Sequence, residues 1–153
     1  AIDVQHIIVN RVASALFELR KRDKIPPLLM VVEECHNFAP QDGEVASSKT
    51  MRTIASEGRK FGLGLVVVSQ RAAKVDKNVL SQCNTQFILK MTNPNDLAMV
   101  EKSIEGITKG VIDQIQALPI GVALVSTPYL AMPILVEVRP RETLHGGESI
   151  KVI

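Results

Sequence analysis

The stretch Leu28-Leu29-Met30-Val31-Val32-Glu33-Glu34-Cys35-His36-Asn37-Phe38 decides how this chain is read. It follows Pro26-Pro27, which stops any preceding helix, because proline has no N–H to give to the helical ladder. A short, continuous apolar run of this kind predicts a strand buried on both faces of a parallel sheet. Two carboxylates stand at its end. In open parallel sheets ligands sit at the carboxyl ends of the strands, so Glu33 and Glu34 are placed to face a binding crevice.

Upstream, apolar residues recur at Ile8, Val12, Ala15, Leu16 and Leu19, a helical stripe that predicts one amphipathic helix from Asp3 to Arg22. Downstream of a polar loop at Pro40 to Gly43, Ser47 to Phe61 puts Met51, Ile54, Ala55 and Gly58 on one helical face, with Gly62 as its C-cap. Leu63 to Ser69 reads as a second buried strand, Val75 to Cys83 as a short helix and Gln86 to Met91 as a third strand. This alternation predicts parallel crossover units. Two further helices are expected at Asn95 to Ile104, capped by Asn95 or Asp96, and at Val111 to Leu118, separated by Gly106 and Gly110. Gly121 to Thr127 and Met132 to Val138 flank a turn at Pro128-Tyr129-Leu130-Ala131, short enough for an antiparallel hairpin. Residues 1–139 thus read as one α/β domain, and 140–153 as an extended tail.

Composition narrows the function classes. A chain of 153 residues has the size of one domain with one core, and 46% hydrophobic with 22% charged residues is the range of a folded protein. Aromatics are only 3%, so aliphatic residues must fill the core, and base-stacking platforms for single strands are disfavoured. A net charge of +2 does not by itself argue for a polyanionic partner. Cys35 and Cys83 form no CxxC pair or Cys/His metal pattern, which points to a reduced, cytoplasmic setting. No apolar run approaches the roughly 20 residues of a membrane span.

An apolar strand running into two acids has the form of a Walker B element, in which the first acid holds a hydrated magnesium ion and the second polarises the attacking water. Two solvated glutamates ending a strand would look the same. The following residues add information. Glu33-Glu34-Cys35-His36-Asn37-Phe38 resembles the Asp-Glu-Ala-His-Asn-Phe stretch of HerA/FtsK-type ATPases, with Glu33 for the usual Asp and Cys35 for the usual Ala. The longer Glu33 side chain changes the reach to a metal. Cys35 reads as a small buried residue, and His36 either orients the loop or simply packs.

Two more blocks extend the resemblance. Glu57-Gly58-Arg59-Lys60-Phe61-Gly62-Leu63 is similar to the family's Glu-Gly-Arg-Lys-Phe-Gly-Leu signature, which implies Arg59 as an arginine finger reaching a neighbouring subunit's nucleotide, with Lys60 beside it. Favourable pairing with a helix C-terminus would also account for a cation here. Val66-Val67-Val68-Ser69-Gln70-Arg71 ends the strand expected beside Leu28 to Val32, and the resemblance implies Gln70 as a γ-phosphate sensor. Val79 to Thr85 and Asn93-Pro94-Asn95-Asp96 also look like family segments, so the likeness runs from about Leu28 to Pro140.

The resemblance implies the C-terminal portion of a RecA-like P-loop NTPase domain, with a mostly parallel sheet and a late antiparallel hairpin. It also implies ATP and Mg2+ as ligands, duplex DNA as substrate, a homo-oligomeric ring of the hexamer type, and a nuclease partner in DNA end processing. No segment matches the phosphate loop Gly-x-x-x-x-Gly-Lys-Ser/Thr, so the expectation is a fragment whose native protein carries that loop before Ala1 and which does not turn ATP over alone. Lys74 and Lys77, following Gln70, are candidate DNA contacts if their loop lines a ring channel, and ordinary solvated charges otherwise. Two rivals remain: a conjugative or secretion-type ATPase, and a non-catalytic oligomerisation or regulatory module.

Overall fold

Apolar residues two apart in Leu28–Val32 and Leu63–Val67 fall on the same side of a pleated strand, and this alternation organises the computed structural model, which describes residues 2–104 and 107–144. Strands β1 (Leu28–Val32) and β2 (Leu63–Val67) pair in parallel, with Leu28 opposite Leu63, Met30 opposite Leu65 and Val32 opposite Val67. These six residues face helices α1 (Ile2–Lys21), α2 (Ser48–Glu57) and α3 (Lys77–Leu80), packing with Ala13, Phe17, Met51, Ile54 and Val79 into one core. Strands β3 (Gln86–Ile88), β4 (Val122–Ser126) and β5 (Ile134–Glu137) form a second, antiparallel sheet. Helices α4 (Pro94–Ser103) and α5 (Lys109–Ala117) pack on it through Leu97, Val100, Ile112 and Ile115. None of the described helices is long and apolar enough to cross a membrane.

The α/β class and the late hairpin stand as expected, with several corrections in detail. Among the described residues, parallel pairing is confined to β1 and β2, whereas β3 pairs antiparallel with β4, Phe87 lying opposite Val125. Two hydrophobic clusters among the described residues replace the single expected core. Strand β1 is buried on one face only, for Leu29 and Val31 on the other are 71% and 58% exposed. On α1 the buried face is His6, Ala13, Phe17 and Arg20, while Ile8, Val12 and Leu19 of the expected stripe point outward. The expected helix at Val75 to Cys83 shrinks to one turn, started by Asp76, whose carboxylate accepts from Asn78 N. Helix α4 is capped by Asn93, whose Oδ1 accepts from the amides of Asn95 and Asp96, ahead of the positions expected. Gly110 lies inside α5, and Gly106 is outside the described residues, as are residues 145–153 of the expected tail.

Candidate active site

The carboxyl ends of β1 and β2 are joined by backbone bonds that continue the parallel ladder past its last pair: Val68 N donates to Val32 O and Cys35 N donates to Val68 O, each at 3.0 Å. Between them Glu34 takes a left-handed backbone conformation, φ 48° and ψ 45°, which is uncommon for a residue with a side chain. Such strain persists only where surrounding structure holds it. Here the chain turns straight into a short 3-10 turn, Cys35–Asn37, and the Glu34 carboxylate meets the end of β2. Gln70 Nε2 donates to Glu34 Oε1 at 3.2 Å. His36 Nδ1 stands 3.3 Å from Glu34 Oε2 and 3.0 Å from Ser69 Oγ, and Ser69 Oγ accepts from Arg71 N at 3.1 Å. Glu34 Oε2 is closed off from solvent and has no hydrogen-bond partner among the described residues, the His36 Nδ1 hydrogen bond being with Ser69 Oγ.

Glu33 is exposed beside this cluster. No group of three His, Cys, Asp or Glu side chains forms a metal cage among the described residues. That donor set nevertheless fits magnesium, which keeps most of its waters and takes one or two carboxylates together with phosphate oxygens. Cys35, the residue after Glu34, is fully buried, and burial pushes its thiol up to about 12, so it packs and does not act as a nucleophile.

Arg59 and Lys60 lie elsewhere. Both are exposed on the 3-10 turn Gly58–Phe61, which precedes β2 and so sits at the amino ends of the strands. The five residues of β2 put about 16 Å between that turn and the end carrying Gln70. The turn depends on its glycines: a Cβ on Gly58 would stand 2.4 Å from Leu63 O, and Gly62 has φ +74°. It is pinned from behind by Arg20, which is 8% exposed. Arg20 Nε donates to Phe61 O at 2.7 Å, and its Nη1 donates to Ile25 O and to Asp23 Oδ1.

Lys74 and Lys77 are exposed on the segment after Gln70. That segment is strapped to the loop following Glu34: Gln41 N donates to Lys74 O at 2.8 Å, Asp76 N to Ala39 O at 2.8 Å and Lys77 N to Gln41 Oε1 at 2.9 Å. Buried Asp76 also accepts from Arg52 Nη1 at 3.2 Å, and Asp96 of α4 accepts from Ala73 N at 2.8 Å. A cleft of about 210 Å³ opens here, lined by His36, Pro40, Asp42 and Lys74. Glu33, Glu34 and Gln70 therefore gather at one end of the sheet with the Lys74 loop tied behind them, and Arg59 and Lys60 occupy the other. Sequence reasoning passed over Arg20, Ser69 and Asp76, and read Asp96 only as a helix cap. Arg20 sat within a charged run that ends a helix, and nothing in its type signals burial.

No family model matches the sequence. The chain is 41% identical over 135 residues to a DNA double-strand break repair helicase HerA of Pyrococcus furiosus, covering 83% of this chain and 24% of that protein. It is 34% identical over 154 residues to a probable helicase of Methanocaldococcus jannaschii, covering 96% of this chain and 30% of the relative. It is 32% identical over 158 residues to the HerA of Sulfurisphaera tokodaii, covering 99% and 32%. The chain thus spans about a quarter to a third of these relatives' length. Among solved structures, VirB4 of Thermoanaerobacter pseudethanolicus superposes with a TM-score of 0.70 at 15% identity, over 93% of this chain and 39% of that one. The genome packaging NTPase B204 of Sulfolobus turreted icosahedral virus 2, in complex with ATP-gammaS, gives 0.63 at 17% identity, over 77% and 55%. At such identities the likeness speaks for the fold, which is that of P-loop NTPase domains. Along most of its own length, this chain is a homologue of the helicases named HerA.

Proposed function

We propose that the full-length protein is an ATP-driven DNA translocase, in which this segment supplies the hydrolytic acid and the arginine finger. The observation that carries the reading is the meeting of Glu34 and Gln70 at the carboxyl ends of β1 and β2, 3.2 Å apart, in a chain homologous to DNA repair helicases. Glu34 accepts the proton of the attacking water, and Gln70, already bonded to that carboxylate, senses the γ-phosphate. Glu33 holds the hydration shell of a magnesium ion, which when bound neutralises charge on the phosphate oxygens. A preceding phosphate loop completes the nucleotide site, and without it the segment alone does not turn ATP over.

Arg59 acts on the nucleotide of a neighbouring copy in a ring, most simply a hexamer, with Lys60 beside it. Its own chain holds the acid at the opposite end of the sheet. Lys74 and Lys77 contact DNA phosphates in the assembled ring, a nuclease partner is proposed on the strength of the relatives' role in break repair, and the setting is cytoplasmic. The test is Glu34→Gln in the full-length protein. ATP binding should persist while turnover falls roughly 10²- to 10⁴-fold, because an amide cannot accept the proton. Equal loss of binding and hydrolysis would make Glu34 a structural residue.

A further inference from the structure

The Glu34 carboxylate presents one open oxygen. Its side chain is 42% exposed, yet Oε2 is closed off from solvent and has no hydrogen-bond partner among the described residues, so water reaches the carboxylate at Oε1. Gln70 Nε2 donates to that same oxygen at 3.2 Å. A bond donated to a carboxylate oxygen favours its charged form and so opposes the arrival of a proton there. The amide read as the γ-phosphate sensor therefore sits on the atom that must accept the proton of the attacking water. The backbone on both sides is anchored. Cys35 N donates to Val68 O just beyond the left-handed Glu34, while Ser69 Oγ bonds to His36 Nδ1 and accepts from Arg71 N across Gln70. What is left to move is the exposed Gln70 side chain, and such side chains change rotamer on the order of nanoseconds or faster.

We infer that Gln70 is a latch on Glu34: while its amide holds Oε1 the acid is idle, and a γ-phosphate that takes the amide over frees that oxygen for the attacking water. The inference rests on the proposed roles of Glu34 and Gln70, and goes further by making one side chain both sensor and release. Nε2 carries a second N–H, but an amide bridging carboxylate and phosphate would fill the space that the water in line for attack needs. Carboxylate and phosphate therefore compete for the amide, and by linkage each weakens the other's hold on it. ADP has no γ-phosphate, so it leaves the latch closed. Hydrolysis removes the group that held the amide, and Gln70 returns to Oε1.

The test is a double-mutant cycle on nucleotide affinity in the full-length protein with magnesium present: native, Glu34→Ala, Gln70→Ala and the double variant, each titrated with ATPγS and with ADP. Removing the carboxylate frees the amide. Glu34→Ala should therefore tighten ATPγS relative to ADP by roughly 2- to 10-fold more when Gln70 is present than when it is Ala, the size of one hydrogen bond. Loss of a negative charge beside the phosphate acts in both backgrounds and cancels in the cycle. An equal shift in both backgrounds overturns the inference, and a dead Glu34→Gln then leaves the hydrolytic reading standing. An active Glu34→Gln sinks that reading instead, and the inference with it. Should a variant fail to fold, the structure of the native protein bound to ATPγS decides. Gln70 Nε2 on a γ-phosphate oxygen and off Glu34 Oε1 supports the latch, and Nε2 still on Oε1 refutes it.

Discussion

The two ends of the β1–β2 sheet are built in opposite ways. At the carboxyl ends the polar groups are turned on one another: Glu34 meets Gln70 and His36, and the Lys74 loop is strapped to Ala39 and Gln41 behind them. At the amino ends Arg59 and Lys60 face outward, and the side chain that fixes their turn, Arg20, is buried beneath it. One end brings polar groups into contact, and the other presents a cation at a distance. Acid and arginine on opposite ends of the same strands cannot close on one phosphate, so the contrast favours sites shared between copies of the chain.

The largest expected effect is at the outward end. Arg59→Ala should reduce full-length turnover by roughly 10³- to 10⁵-fold while leaving folding and ATP binding intact, the size known for arginine fingers. A loss of less than about tenfold would reduce Arg59 to a helix-end cation. Arg20→Ala attacks the same end from behind. It strips the carbonyls of Phe61 and Ile25 of their donor and should destabilise the protein by roughly 2–4 kcal/mol in denaturant unfolding. Its kcat should fall less than that of Arg59→Ala, and unaltered stability would show that water replaces the guanidinium without cost.

At the other end, Lys74→Ala with Lys77→Ala should weaken DNA binding with little regard to sequence. The slope of log affinity against log salt should become shallower by about 0.9 for each DNA phosphate that the variant no longer neutralises. An unchanged slope would remove both lysines from the DNA path.

Much of this was legible in the chain. The run Leu28 to Val32, the left-handed Gly62 and the 132–138 hairpin strand all signal themselves through local chemistry: apolar continuity, a glycine where φ must be positive, and a short turn. Tertiary facts were less visible. A continuous apolar run cannot reveal that one face of the sheet lies bare, and Leu29 and Val31 have the same side chains either way. Helix α1 carries apolar residues on two faces, so periodicity selected Ile8, Val12 and Leu19 while packing selected Ala13 and Phe17. The antiparallel partner of β3 lies far along the chain, and strand order leaves no local mark. The placement of Glu34 and Gln70 at one end of the sheet followed from the strand ends. His36 and Arg20 required coordinates, because a histidine's role depends on which nitrogen faces what, and a buried arginine reads like any charged helix terminus.

The claim that the two ends of the sheet serve different nucleotides is tested most directly by mixing subunits. Full-length Arg59→Ala and Glu34→Gln proteins, each inactive alone, are co-assembled in equal amounts, with mixed rings verified by mass. If Glu34 works with the Arg59 of a neighbour, interfaces joining an intact acid from one variant to an intact arginine from the other regain turnover. Random mixing then predicts up to about a quarter of the native rate, since head-to-tail interfaces form independently of variant. Activity no greater than that of the two variants alone would place Arg59 and Glu34 in the same site and contradict the account.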